Sequence, residues 1–120
     1  MAARYHPNGL RIIDQELIDE VVATIVEHVH PDRIVVFGSQ ARGDGHPNSD
    51  LDLMIEMDTA LRAIDRAVAV GALFPDRDWP LDVVVYTPEE AVRDRQRSGS
   101  LLALIDTEAK TLYDNVAVRS

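Results

Sequence analysis

Apolar residues recur every three or four positions early in the chain, between Asp14 and the pair His30-Pro31. Aspartate is a residue type that often caps the start of a helix, and a proline beside the last turn ends one. The spacing therefore predicts a single amphipathic helix. Its apolar face would consist of Leu17, Ile18, Val21, Val22, Ile25, Val26 and Val29.

Beyond this helix the pattern changes to that of short strands. The run RIVVF at 33–37 is apolar and rich in β-branched residues, which predicts a buried strand that ends at Gly38-Ser39. The segment DLDLMIEM at 50–57 alternates polar and apolar residues, which predicts a strand with two different faces. PLDVVVY at 80–86 predicts a third strand, and KTLYD at 110–114 predicts a short edge strand. The glycine- and proline-containing segment ARGDGHPNS predicts a loop.

Three further helices are predicted around the third strand. The segment Thr87-Pro88-Glu89-Glu90 combines a capping threonine, a proline at the first helical position and a glutamate three residues after the cap. Ser100 is expected to cap the helix that follows, after a stop near Gly99. Thr59 is expected to cap the helix before the third strand. The apolar residues of that helix are Leu61, Ile64 and Val68.

The order of these elements predicts an α/β (α+β) fold, a small mixed β-sheet with helices packed mainly on one face. The chain has 120 residues, of which 46% are hydrophobic, so one domain over 1–120 is expected. There is no cysteine, which excludes disulfides and thiolate metal sites and is consistent with a cytoplasmic protein. No apolar run approaches the ~18 residues of a membrane span.

The formal net charge of −9 at pH 7 disfavours general nucleic-acid binding, because an acidic surface repels phosphate backbones. It still allows a local site for one nucleotide that is chelated by a metal ion.

Three aspartates are candidates for such a site. Asp50 and Asp52 point to one face of their strand, and Asp82 lies near the start of another strand. Two carboxylates about 4 Å apart repel by about 4 kcal/mol at an effective dielectric constant of about 20, whereas a bound dication reverses the sign. Ligands that are all oxygen favour Mg²⁺ or Mn²⁺, and such sites usually include substrate phosphates. A nucleoside triphosphate is therefore the expected substrate.

The residues before these aspartates suit a phosphate. Gly38 allows close approach of the backbone, Ser39 offers a hydroxyl, and Arg42 offers a planar charged group. The loop is not a Walker A motif, because no Gly-Lys-Ser/Thr follows. Together these residues predict metal-assisted phosphoryl or nucleotidyl transfer, in which one carboxylate can act as a base.

The segment FGSQARGDGHPNSDLDL resembles the signature of the DNA polymerase beta-like nucleotidyltransferase superfamily, in which Gly-Ser precedes Asp-x-Asp by ten residues. The short chain and the ending LIDTEAKTLYD resemble its MNT branch, the minimal nucleotidyltransferases. The resemblance implies a polymerase-beta-like core and two Mg²⁺ ions once ATP is bound. It also implies that Gly38 and Ser39 contact the triphosphate, with Arg42 and Ser49 as further substrate-binding residues. The catalytic and metal-binding residues that it implies are Asp50, Asp52 and Asp82.

The resemblance further implies a partner. MNT proteins commonly pair with a HEPN-family ribonuclease toxin and act as its antitoxin, and several transfer AMP from ATP to a tyrosine hydroxyl of the toxin. A chain this short leaves no room for the helical acceptor-binding domain of larger relatives. Two alternatives stay open: transfer to a small molecule such as an aminoglycoside, and an idle antitoxin that neutralises its toxin by binding alone.

Other polar residues have simpler interpretations. Glu56 is expected to be an exposed or paired acid, although it shares the face of the two aspartates. Arg93, Arg95 and Arg97 are most simply a solvated helix face, and Trp79 is expected to be a packing residue.

Overall fold

The computed structural model describes residues 3–43 and 49–115, so part of the predicted loop, 44–48, lies outside the described residues. The strands are β1 (Arg33–Phe37), β2 (Leu51–Glu56), β3 (Leu81–Tyr86) and β4 (Lys110–Asp114). They form one mixed sheet in the order β3-β2-β1-β4, in which β2 and β3 are parallel and the other pairs are antiparallel. The four predicted strands are thus confirmed, and β4 lies at an edge of the sheet as expected.

The helices are α1 (Gln15–Val29), α2 (Ser39–Arg42), α3 (Ala63–Gly71), α4 (Pro88–Arg95) and α5 (Leu101–Asp106). Asp14 caps α1 as predicted, because its side chain accepts a hydrogen bond from the backbone N–H of Leu17. Ser100 caps α5 in the same way. Thr87 and Glu90 form a reciprocal capping box at the start of α4. Among the residues that the structure describes, no helix is long and apolar enough to cross a membrane.

The start of α3 differs from the prediction. The residue that caps this helix is Arg62, and no side-chain hydrogen bond caps it. Thr59 instead accepts a hydrogen bond from the backbone N–H of Leu61 at 3.1 Å. Its hydroxyl therefore stabilises the turn that precedes α3 rather than the helix itself.

The face of α3 that is buried also differs from the prediction. Ile64 and Val68 are 71% and 66% exposed, whereas Arg66 and Val70 are buried. Arg66 can be buried because its guanidinium has polar partners, among them Glu90 at 2.6 Å. A tertiary ion pair therefore decides which side of α3 packs on the sheet.

Side chains from both faces of the sheet are buried, because β1 and β2 are central strands. The larger core packs α1 and α3 against the sheet, and Trp79 belongs to it as a packing residue, as expected. A smaller core on the opposite face packs α4 and α5 against Val35 and Met54. The predicted α+β class is confirmed, with this second helical layer in addition to the main one.

The topology gathers particular residues at one end of the strands. Because β2 and β3 are parallel, their first residues lie side by side, and Asp52 pairs in register with Asp82. Because β1 is antiparallel to β2, its last residue, Phe37, pairs with Asp52. The turn that begins at Gly38 therefore lies beside the start of β2, whose other neighbour is the start of β3.

Candidate active site

Asp50, Asp52 and Asp82 form a carboxylate cluster at this end of the sheet. One oxygen atom from each lies within 4.8 Å of the others. Asp52 is half-buried between its two exposed neighbours. The structure thus brings together all three predicted carboxylates, and such a set of oxygen ligands could hold a hard dication such as Mg²⁺.

The environment of Asp52 disfavours its negative charge. Burial, together with the carboxylates of Asp82 and Asp50, raises the pKa of Asp52 from 3.8 to about 6, whereas the positive charge of Arg42 opposes the rise. Charged carboxylates placed this close together leave a local excess of negative charge. A dication bound by the three oxygens would remove the excess.

Gly38 lies directly against this cluster. Its φ of 72° is in the region that favours glycine. A Cβ atom here would overlap Oδ2 of Asp52 and lie 3.2 Å from the carboxyl carbon of that residue. The sequence suggested a glycine for close approach of a phosphate, and the structure adds a second reason, the space that the Asp52 carboxylate occupies.

The other predicted substrate-binding residues surround the same point. Ser39 begins α2 and is half-buried, and Ser49 is buried directly before Asp50. Arg42 ends α2 with a side chain that is 48% exposed, and its Nη1 donates a hydrogen bond to Oε2 of Glu108 at 2.9 Å. All four residues, including Gly38, therefore lie on the segments that flank the cluster, and their contact with a substrate stays a prediction.

Glu108 is a residue that sequence reasoning missed. It lies in the turn between α5 and β4, and its Oε1 accepts a hydrogen bond from the backbone N–H of Gly38 at 3.0 Å. No local motif marks it, because its position depends on the pairing of β4 with β1, in which Val36 lies opposite Lys110. Only a prediction of that antiparallel pairing could have placed this acid beside Gly38.

Glu56 lies at the other end of β2 and does not belong to the cluster. It pairs with Arg95 at 2.7 Å and more distantly with Arg33 at 3.9 Å, as expected for a paired acid. Arg95 also pairs with Asp106 at 2.8 Å. The interpretation of Arg95 as part of a solvated face is therefore wrong, because this side chain joins α4, α5 and β2, whereas Arg93 is exposed.

The match to a known protein family agrees with this geometry. The family model of the nucleotidyltransferase domain matches residues 18–113 of the chain. A sequence comparison with curated proteins finds no match.

Similar solved structures share the fold. A proposed nucleotidyltransferase from Sulfolobus solfataricus has a TM-score of 0.58 and 19% identity, over 84% of this chain and 80% of that one. A mutant of the toxin–antitoxin pair MntA–HpeT gives a TM-score of 0.56 and 22% identity, over 81% of this chain and 72% of that one. A toxin–antitoxin structure with AMP-PNP gives a TM-score of 0.50 and 23% identity, over 80% and 73%.

The family match covers β1, β2 and β3, which carry or adjoin the aspartate cluster, and the structural likeness extends to most of the chain. The chain belongs to the nucleotidyltransferase domain family and shares its fold with the solved nucleotidyltransferase and toxin–antitoxin structures to which it is similar.

Proposed function

We propose that this protein is an Mg²⁺-dependent nucleotidyltransferase that moves AMP from ATP to a hydroxyl group of a partner protein. The partner would be a HEPN-family ribonuclease toxin, the acceptor a tyrosine of that toxin, and the consequence its neutralisation. The observation that carries the proposal is the three-carboxylate cluster beside Gly38 in a chain of the nucleotidyltransferase family.

The donor set fits Mg²⁺. Asp50, Asp52 and Asp82 offer only carboxylate oxygens, and these lie close enough together to share a metal site. The same three residues would hold two ions once a nucleotide is bound. Bound Mg²⁺ would supply positive charge that neutralises the phosphates and fixes their orientation.

The residues around the cluster would bind the triphosphate. The serine hydroxyls of Ser39 and Ser49 and the guanidinium of Arg42 are all able to donate hydrogen bonds to phosphate oxygens. Gly38 would allow the backbone to approach the phosphate chain. These contacts would leave the α-phosphate beside the carboxylates.

The reaction is a displacement at the α-phosphorus. The acceptor oxygen forms a bond to this phosphorus, the bond to the β-phosphate bridging oxygen breaks, and pyrophosphate leaves. The hydroxyl proton passes to a base, and one of the three aspartate carboxylates is suited to accept it.

The antitoxin role is supported by two of the similar structures. Both are described as toxin–antitoxin structures, and one of them contains the ATP analogue AMP-PNP. The protein that supplies the acceptor would also supply the surface that larger nucleotidyltransferases carry as a further domain. An antitoxin that acts only by contact would need none of the aspartates.

An incubation with the toxin, followed by mass measurement, tests the proposal. The wild-type chain and Mg²⁺-ATP are incubated with the proposed HEPN-family toxin, and intact-mass spectrometry should show one or more added adenylyl groups on the toxin. Asp52→Asn should abolish the addition, whereas Asp76→Asn, at an exposed position in the turn after α3, should not. A variant with both Asp50→Ala and Asp52→Ala that still neutralises the toxin at equal dose would contradict the catalytic account and favour neutralisation by contact.

A further inference from the structure

The carboxylate of Glu108 accepts hydrogen bonds from two residues that the proposed function places against the triphosphate, Gly38 and Arg42. Its Oε1 accepts from the backbone N–H of Gly38 at 3.0 Å, and its Oε2 accepts from Nη1 of Arg42 at 2.9 Å. Both oxygens are thus engaged with groups of the Gly38–Arg42 segment. An acidic side chain lies where the resemblance expects a phosphate.

Arg42 and Gly38 differ in how many hydrogen bonds they can donate. Arg42 has a guanidinium with five N–H groups, so it can keep Glu108 and still donate to a phosphate oxygen. The backbone of Gly38 has a single N–H, which cannot make two good hydrogen bonds at once. A phosphate that binds this N–H must therefore displace Oε1 of Glu108.

The negative charge of Glu108 also opposes the binding of a phosphate at Gly38. Its carboxylate lies near enough to the aspartate cluster to influence Asp52 electrostatically. The side chain is 29% exposed, so solvent screens it only in part. A negative charge in this position opposes the approach of any anion to Gly38.

We propose that Glu108 is an internal anion that competes with the triphosphate for Gly38 and thereby sets the affinity of the site for nucleotide. Binding of the triphosphate would move Glu108 away from the Gly38 N–H. Arg42 would keep its ion pair with Glu108 and also donate a hydrogen bond to the phosphate. This inference rests on the proposed function, because it assumes that the phosphates bind at Gly38 and Arg42. It adds an affinity-setting role to the same site.

The opposite role for Glu108 predicts the opposite sign. If Glu108 served to hold Arg42 ready for the phosphate, removal of its charge would weaken nucleotide binding. If it served only to attach the turn before β4 to α2, removal of its charge would change the melting temperature and leave the affinity unchanged.

The test uses Glu108→Gln, which keeps the size of the side chain and removes its charge. Dissociation constants for Mg²⁺-bound AMP-PNP and Mg²⁺-bound tripolyphosphate are measured by calorimetry for the wild type and the variant. Glu108→Gln should bind both probes about fivefold more tightly, since a hydrogen bond to a neutral acceptor is weaker and easier to exchange. A control with the same change in net charge is Glu20→Gln on α1, a glutamate that also pairs with an arginine, and it should leave both constants unchanged.

The two probes show which part of the nucleotide site Glu108→Gln affects. An equal gain for AMP-PNP and tripolyphosphate assigns the effect to the phosphate contacts, as proposed. Unchanged or weaker binding by a folded Glu108→Gln, with normal binding by the wild type, overturns the inference and leaves the proposed function intact. If the wild type binds neither probe, or if Asp52→Asn binds both probes as tightly as the wild type does, the proposed function fails. The inference then fails with it.

A measurement on the wild type keeps the inference testable if Glu108→Gln does not fold. The side-chain carboxyl carbon of Glu108 and the amide of Gly38 are observed by NMR while Mg²⁺-tripolyphosphate is added. Both resonances should shift along the same saturation curve. The amide of Gly38 gains a phosphate oxygen as its partner, and the carboxylate of Glu108 loses the hydrogen bond from that amide. Saturated binding that leaves the Glu108 carboxyl resonance in place would overturn the displacement.

Discussion

Gly38 and Asp52 lie so close together that a Cβ atom on Gly38 would overlap Oδ2 of Asp52. The contact joins the end of β1 to the start of β2, and in the sequence it joins the Gly-Ser half of the motif to the Asp-x-Asp half. The glycine of the first half thus has a packing reason. The glycine leaves the space that the middle carboxylate of the cluster occupies.

Replacement of Gly38 by alanine should therefore destabilise the protein and disturb the carboxylate cluster. A positive φ alone costs about 1–2 kcal/mol for a residue with a Cβ, and the overlap with Asp52 adds to this cost. Gly99→Ala is a matched control, because Gly99 has a φ of 73° and a Cβ there meets no described atom within 4 Å. Urea denaturation should show a larger loss for Gly38→Ala than for Gly99→Ala. Equal losses would mean that the contact with Asp52 has no energetic consequence.

Asp52→Asn should raise the melting temperature of the metal-free protein at neutral pH. Burial, together with Asp82 and Asp50, raises the pKa of Asp52 from 3.8 to about 6. The folded protein therefore binds this proton more tightly than the unfolded chain, so the contribution of Asp52 to stability is present below about pH 4 and is lost as the pH rises through about 6.

Melting curves in the presence of a chelator at pH 5 and pH 7.5 check this sign. The advantage of Asp52→Asn over the wild type should be larger at pH 7.5, and Asp76→Asn should show no such dependence. An advantage that is larger at pH 5 would contradict the assigned direction of the pKa shift.

Mg²⁺ and ATP together should raise the melting temperature of the wild type, because a ligand that binds only the folded state stabilises it. At a hundredfold excess over the dissociation constant the gain is about 2.7 kcal/mol, which corresponds to roughly 10 °C or more for a domain of this size. Asp50→Asn should abolish the shift. The absence of any shift in the wild type at millimolar metal and nucleotide would count against the cluster as a metal site.

The ion pair between Arg66 and Glu90 should matter more for stability than the pairs on the surface. Arg66 is buried and donates to the backbone oxygen of Leu61 at 2.7 Å as well as to Glu90. Arg66→Ala should cost about 2 kcal/mol or more, because it leaves these acceptors without their donor. Arg62→Ala, which removes the exposed pair with Asp65, should cost less than about 0.5 kcal/mol. Similar losses for the two variants in urea denaturation would show that Arg66 does not anchor α3.

Local signals explain which parts of the fold could be predicted. The caps at Asp14, Thr87 and Ser100 act within three residues of themselves, so the sequence around them is sufficient. The orientation of α3 is different. Its apparent apolar stripe is exposed because Arg66 pairs with a residue of α4, and no local pattern contains that information.

The same distinction applies to the site. Asp50 and Asp52 could be placed by the alternation of a single strand, and Asp82 by its position near the start of another strand. Glu108 could not be placed, because it contacts residues that lie seventy and sixty-six positions away in the sequence. The alignment of β4 with β1 brings it to Gly38, and the sequence alone carries no register for that pair.

Transfer of label from ATP tests the central claim most directly. The wild-type chain is incubated with the proposed HEPN-family partner, Mg²⁺ and ATP that carries a label at either the α- or the γ-phosphate. Nucleotidyl transfer predicts that the partner gains the α-label and not the γ-label, and that Asp52→Asn abolishes the gain while Asp76→Asn retains it. A partner that gains the γ-label, or an α-label gain that survives Asp52→Asn, would contradict the account.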